Sequence, residues 1–334
     1  HSNFAVSMSI KLLFRFIRLN WVELLFIVIL WLFCLAIVTE NNFVAGALNA
    51  LRIPAAIVVT VLTIFFFIRG NKLMTTGSVI ACLILFPGIW QYFRPGQAPE
   101  TIQEEKTVSD KVKKQSDFSI AHFNVKEHNK HLEMLIDDAL QTDVDIISLQ
   151  ELRPEAGALA DSLLRPSYPY VLRAMDVPGF GIALYSRIPF DSTHIFNDFA
   201  FPVLWANLSF NGKKMHVYAA TTSTPTSEKG FEKQRKEFAY LAELMGNPAT
   251  PSILAGDLNA VPWSTHITEF CKRTSMIDSR KDLSATYPSQ SMLVQLPIDY
   301  LMHTPNIQCL AFTALAPSTS NHLGISGYYK IKKR

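Results

Sequence analysis

The chain has 334 residues, 49% hydrophobic and 18% charged, against about 25% charged in an average soluble protein; a solvated, disordered chain is excluded and a membrane part is suggested. Four cysteines exclude a disulfide-dense secreted scaffold. The net charge of +3 speaks for nucleic acid or anionic lipid only if it sits where such a partner would bind.

Three apolar runs come first in chain order. Residues 21–38 are broken only by Glu23, and residues 53–68 and 76–93 carry no charge. Each approaches the roughly 20 residues that a bilayer core requires. Residues 1–93 are therefore expected as a transmembrane region with spans near 21–38, 51–69 and 76–93. Lys11, Arg15 and Arg18 precede the first run, and Arg69 and Lys72 lie between the second and third. The excess of basic residues on those two sides predicts an inside N-terminus, with everything after Phe93 outside.

Residues 94–117 have no apolar period and read as a polar tether. Residues 118–334 are long enough for one substantial core. Strands are expected at 119–125, 144–149, 181–186, 206–210 and 213–219, the last two joined at Asn211-Gly212, a two-residue hairpin signal. Helices are expected at 128–142, 155–164, 227–245 with Ser227 as N-cap, and 265–271. Further strands follow at 251–255, 298–302, 307–313 and 323–329. This mixture implies a mixed α/β sheet arrangement.

Several polar residues stand just past apolar strands, where a rigid scaffold can hold loop chemistry. They are Asn124, Gln150-Glu151, Asp257 and Asn259; Asp299 lies within a strand and Asn321-His322 before the last one. The segments AHFNV, DIISLQEL, GIALYSRIPF, SILAGDLNAVPWS, LPIDYLMHTP and SNHLGI contain these residues. In that order they resemble the endonuclease/exonuclease/phosphatase superfamily, the DNase I-like fold, and most of all its membrane-anchored bacterial members. The resemblance implies a four-layer α/β sandwich of two mixed β-sheets flanked by helices over 118–334. It implies hydrolysis of a phosphoester with Mg2+ or Mn2+ at the C-terminal edge of the sheets; the apolar runs and their basic flanks add the bacterial inner or cytoplasmic membrane, with the soluble domain extracytoplasmic.

The chemistry suits those residue types, because a hard cation neutralises an anionic phosphoester and binds few oxygen ligands. By resemblance Glu151 is the principal metal ligand. Asn124 beside it supplies an amide oxygen or a hydrogen bond. Asp257 and Asn259 position the attacking water and a phosphate oxygen. His322 is the general base or a phosphate-contacting imidazole, oriented by Asp299. Arg187 is a candidate phosphate contact through its planar fork.

Two residues depart from the pattern. Asn321 stands where relatives carry an aspartate near the metal, and it loses that charge. Thr222 stands where many carry a phosphate-contacting histidine. The alternative function is therefore a catalytically weakened or inactive membrane-tethered binding module of the same fold. His122 and the other histidines show no metal-binding spacing. The alternating Lys and Glu of 228–237 read as a solvated helix face. Pairing of Cys271 with Cys309 is left open.

The charge divides unevenly. Residues 1–93 hold six Lys/Arg and two Asp/Glu, the tether five of each, and residues 118–334 twenty and twenty-one. The basicity flanks the membrane runs. The expected partners are the lipid bilayer and a phosphoester substrate, while nucleic acid is not favoured by charge.

Overall fold

The computed structural model describes residues 2–93, 110–175, 180–198, 200–210, 212–246, 249–291, 294–315 and 319–332. It divides into two compact units, His1–Trp90 and Gln91–Arg334.

The first unit is helical: α1 (Ser2–Thr39), α2 (Phe43–Ala50), α3 (Arg52–Ile68) and α4 (Lys72–Leu85). The backbone of α1 departs from helical angles at Asn20. The stretch Arg15–Thr39, which contains that break, is long and apolar enough to cross a membrane, about 38 Å at 1.5 Å per residue. Leu25, Val28, Ile29 and Leu32 on it are exposed. Asn42 caps α2, and Asn71 caps α4 while donating to the Glu23 carboxylate (2.8 Å). Trp31 donates to the Gly77 carbonyl. A side chain at Gly77 would meet Ile27 at 2.6 Å, so the glycine permits close packing of α1 on α4.

The expectation of about three spans is corrected here. Among the described residues one helix qualifies by length and composition, or two if the pair α2 and α3, bent by 67°, crosses as one. The third expected span, 76–93, ends as a helix at Leu85. Phe86 still has helical angles and bonds Cys82, and Pro87 lacks the N–H that would continue the ladder. The 14 residues of α4 reach only about 21 Å, less than the roughly 30 Å of a bilayer core. With one span or two, the count no longer places the second unit outside.

The second unit opens with α5 (Asp110–Gln115), whose Val112 packs on the domain core. The tether thus contains a helical turn, and its residues 94–109 lie outside the described residues. Then follow β1 (Phe118–Asn124), α6 (Leu132–Gln141), β2 (Ile146–Leu152), α7 (Pro154–Leu164), β3 (Tyr170–Ala174), β4 (Gly181–Ser186), β5 (Phe190–Phe196), β6 (Val203–Phe210), β7 (Lys213–Ala219), α8 (Glu228–Met245), β8 (Ser252–Asp257), α9 (Thr265–Thr274), β9 (Ile277–Asp278), β10 (Asp299–His303), β11 (Ile307–Ala314) and β12 (Ile325–Ile331).

One sheet has the order β11-β12-β1-β2-β4-β3, the other β5-β6-β7-β8-β10-β9. The pairs β1–β2 and β7–β8 are parallel and the rest antiparallel, so both sheets are mixed. Ile120, Ile146, Leu184, Leu208, Val217 and Leu301 fill the space between the sheets. One outer face is covered by α6 and α7, the other by α8 and α9. The four-layer α/β sandwich is the architecture expected from the resemblance.

Ser227 caps α8, its hydroxyl accepting from the Gly230 N–H. β6 and β7 pair from Phe210 opposite Lys213; the Asn211 of the expected turn lies outside the described residues. The edge strands β3 and β5 had no signal in the sequence. β5 has most of its side chains exposed, so neither a buried run nor a clean alternation marks it. Cys271 and Cys309 are free thiols.

Candidate active site

Strand alternation determines which polar residues meet. In β1, Ile120 faces the opposite sheet, so His122 and Asn124 do too. In β2, Ile146, Ser148 and Gln150 share that direction. From the other sheet Ile253, Ala255 and Asp257 of β8 face inward, as do Asp299 and Leu301 of β10. Asp299 pairs in register with Asp257, and Asn124 with Gln150. Four polar side chains therefore close the inter-sheet core at the C-terminal edge of the parallel strands.

By alternation Glu151 would point away from them. A register shift between Gln150 and Leu152 and a positive φ of 61° at Glu151 mark a bulge there, and bulges re-aim side chains. The Asn124 amide nitrogen donates to Glu151 Oε1 (2.8 Å) and to Asp257 Oδ2 (3.0 Å). The Glu127 N–H donates to Glu151 Oε2. Gln150 accepts from the Asp257 N–H and donates to the Ala220 carbonyl. That carbonyl lies 1.8 Å from where a Gly256 Cβ would be, so only glycine allows this approach. Asn259 takes a left-handed φ of 48°; its amide donates to the Thr222 carbonyl and accepts from the Thr224 hydroxyl.

His322 Nδ1 lies 2.9 Å from Asp299 Oδ2, and its Nε2 lies 3.9 Å from Asp257 Oδ2. The other Asp299 oxygen faces His122 Nε2 at 3.5 Å, and His122 Nδ1 is 3.2 Å from the Ser148 hydroxyl. Ser320 donates to the Asn124 carbonyl and accepts from the His322 N–H. Tyr287 packs its ring 4.7 Å from the His322 ring. From behind, the buried Arg280 guanidinium donates to the Pro297 and Asp299 carbonyls.

These contacts set the charges. Burial pushes the Asp257 carboxyl up, and the Asp299 charge adds to the effect, to about 7. Burial opposes charge on His322, but Asp299, with Asp257 and Glu151 behind it, outweighs that and raises the imidazole to about 9. Burial likewise opposes ionisation of Asp299, yet His322 and His122 hold its carboxyl far below the usual range. At neutral pH the cluster pairs a carboxylate with an imidazolium, beside an Asp257 poised near neutrality.

Glu151, Asp257 and His322 each present one ligand atom, all within 4.8 Å of one another. The two carboxylates suit a hard divalent cation such as Mg2+ or Mn2+, and His322 could add its Nε2 only after losing the proton it holds at neutral pH. Asn321 adds a buried amide oxygen with no hydrogen-bond partner among the described residues. The donor set therefore fits the cation that the resemblance implies.

The structure brings together Asn124, Glu151, Asp257, Asn259, Asp299 and His322. Asn124 needs one correction: its oxygen accepts from the Lys126 N–H, so it offers the carboxylates its donors and not a ligand oxygen. Thr222 is buried, and its hydroxyl donates to the Leu258 carbonyl, not to a substrate. Arg187 is not brought to the cluster. β4 runs antiparallel to β2, with Ser186 opposite Ile146, so Arg187 stands at the other edge of the sheet. There it pairs with Asp143 (2.7 Å) over the Tyr168 ring. His122 was missed; its place two residues before Asn124 was the available signal. The face of α8 is also corrected, because Glu237 is only 4% exposed and binds Ser223.

A model of the Endonuclease/Exonuclease/phosphatase family matches residues 121–322. Similar solved structures include a mannosyl-6-phosphatase of Bacteroides thetaiotaomicron VPI-5482, at 15% identity and TM-score 0.54 over 64% of this chain and 99% of that one. TDP2 of D. rerio complexed with single-strand DNA product matches at 16% and 0.54, over 64% and 98%. An endonuclease/exonuclease/phosphatase from Beutenbergia cavernae DSM 12333 matches at 18% and 0.53, over 64% and 72%. At these identities the likeness is one of fold. No curated protein shows significant similarity to the chain.

Proposed function

The chain belongs to the endonuclease/exonuclease/phosphatase family, and we propose that it is a membrane-anchored, divalent-metal-dependent phosphoester hydrolase. The observation that carries this is the convergence of Glu151, Asp257 and His322 within 4.8 Å, with His322 held by Asp299. Glu151 and Asp257 are the residues that would hold Mg2+ or Mn2+. Such a cation, when bound, neutralises charge on the phosphoester and its leaving oxygen.

The chain's own groups supply the rest. Asn124 draws the two carboxylates together with its amide donors. Asp257, raised toward neutrality, accepts a proton from the attacking water at its carboxylate. His322, charged at neutral pH, donates from Nε2 to a phosphate oxygen while Asp299 holds Nδ1. Of the two roles open to His322, phosphate contact is the one this charge state supports. Asn259, tied to Thr222 and Thr224, orients the phosphate through its remaining N–H.

The anchor rests on α1. An exposed apolar helix about 38 Å long is costly in water and matched to a bilayer. Lys11, Arg15 and Arg18 at its N-terminal end favour an inside N-terminus, and with α1 as a single span the second unit lies outside. A C-terminal alkaline phosphatase fusion active in the periplasm of a bacterial host agrees with that side, and an inactive fusion reverses it.

Full-length protein in detergent with Mn2+ should hydrolyse bis(p-nitrophenyl) phosphate, and Glu151→Ala should abolish this. A silent wild type with turnover in Asn321→Asp would instead favour the weakened, binding reading. Two observations speak for that reading: Asn321 lacks the family's charge, and the Thr222 hydroxyl is bound to Leu258.

A further inference from the structure

Beside Glu151 lies a cavity of about 270 Å³ whose walls differ in chemistry. Gln150, Glu151, Asn259 and the segment 221–224 form a polar wall. Phe180, Phe201 and Lys233 form the other. The two phenyl rings lie 4.7 Å apart at 47°. Phe201 is 8% exposed, whereas Phe180 is 43% exposed. The Lys233 ammonium sits 4.9 Å from the Phe201 ring centre and 3.9 Å from Glu237 Oε1. Glu237 is itself fixed by the Ser223 N–H and hydroxyl. A buried carboxylate thus holds a lysine against one ring, and the second ring stays open toward the cavity.

Among the described residues this wall offers no side-chain acceptors for the hydroxyls of a polyol, which would lose water without replacement there. It offers faces and a cation to a planar π-system. The volume stands near the lower bound of small-molecule sites, roughly 300 Å³, so a phosphate and one ring fit better than a long acyl chain. We propose that this cavity selects phosphoesters bearing a single planar ring, seated on Phe180 and Phe201 while the phosphate meets Glu151, Asp257 and His322. The proposal rests on the phosphoester reading above and adds the class of substrate.

The test is calorimetry on the full chain in detergent, without added divalent cation so that no ligand is consumed. Phenyl phosphate and thymidine 5′-phosphate are compared with ribose 5-phosphate, which carries the same phosphomonoester anion and no planar π-system. Stacking on one aromatic side chain is worth about 1 kcal/mol or more, so a ring ligand should bind about fivefold or more tighter than ribose 5-phosphate. Phe180→Ala should reduce that preference to about twofold or less, and Phe180→Leu should restore it only in part. Ribose 5-phosphate should bind all three proteins alike. Equal affinities in the wild type, a preference unchanged in Phe180→Ala, or no measurable binding of either ring ligand overturns the proposal. Hydrolysis of bis(p-nitrophenyl) phosphate is measured separately. A ring preference without turnover would refute the hydrolase and leave the pocket standing; turnover without ring preference would do the reverse.

Discussion

The two ends of the β-sandwich carry the same kind of pair to different effect. At one end Arg187 meets Asp143 with side chains 34% and 62% exposed. At the other His322 meets Asp299 with side chains 6% and 0% exposed. Water screens the first pair, and its worth is about 1 kcal/mol or less. The second has little solvent to share its field, so each partner changes the proton affinity of the other and of Asp257. Exposure, not the presence of an ion pair, separates a structural contact from a site able to move protons.

The comparison can be broken most forcefully at Asp299. Asp299→Ala removes the counter-charge of two buried imidazoles, and loss of one partner of a buried pair costs about 3–5 kcal/mol. Urea unfolding should record that loss, and turnover should fall at least about a hundredfold. An undiminished rate would show that His322 needs no orienting carboxylate.

Asn321→Asp sharpens the comparison by adding charge at the buried end. A carboxylate next to His322 should tighten Mn2+ binding by about tenfold or more, since a full charge acts strongly at short range where screening is weak. Titration of Mn2+ by calorimetry measures it, and unchanged affinity would place Asn321 outside the cation's reach.

Proton affinity gives the third test. His322 binds its proton more tightly folded, to about 9, than at its ordinary 6.5. Its contribution is fully present below about pH 6.5 and lost as pH rises through 9. Asp257, raised to about 7, also binds its proton more tightly when folded, so stability falls as pH rises from about 4 through 7. Both shifts have one sign: the melting temperature of the metal-free chain should decline from pH 5 to 9. Asp257→Asn should flatten the lower half of that decline, and a melting temperature that rises over this range would contradict the assignments.

The smallest effect belongs to the exposed end. Arg187→Ala should leave turnover unchanged and cost less than about 1 kcal/mol. A large loss of rate would return Arg187 to the substrate, against its place in the sheet.

Much of this was legible in the chain. Buried runs such as VDIISL, the cap at Ser227 and the helical period of 227–245 need only neighbours to act, because burial on both faces and 3.6-residue spacing are local patterns. The edge strands β3 and β5 were not legible, because half-exposed strands lack such a pattern. Asn124, Asp257 and Asp299 could be singled out because each polar residue interrupts or ends an apolar strand. Arg187 satisfied the same criterion and was misplaced, since a strand end does not say which edge of the sheet it reaches. The span count failed for a related reason: apolar length was visible, but the stop of α4 before Pro87 and the bend between α2 and α3 depend on backbone geometry.

By itself, then, the sequence determined the alternation that puts His122 beside Asn124 on one face, and the apolar length of α1. Those follow from local sterics and hydropathy. Only the tertiary structure decided that strands 133 residues apart meet through Asn124 and Asp257, that a bulge turns Glu151 toward them, and that Phe180, Phe201 and Lys233 share a wall. Strand direction, sheet order and desolvation are properties of the packed sandwich, and they set the charge state of every group in the site.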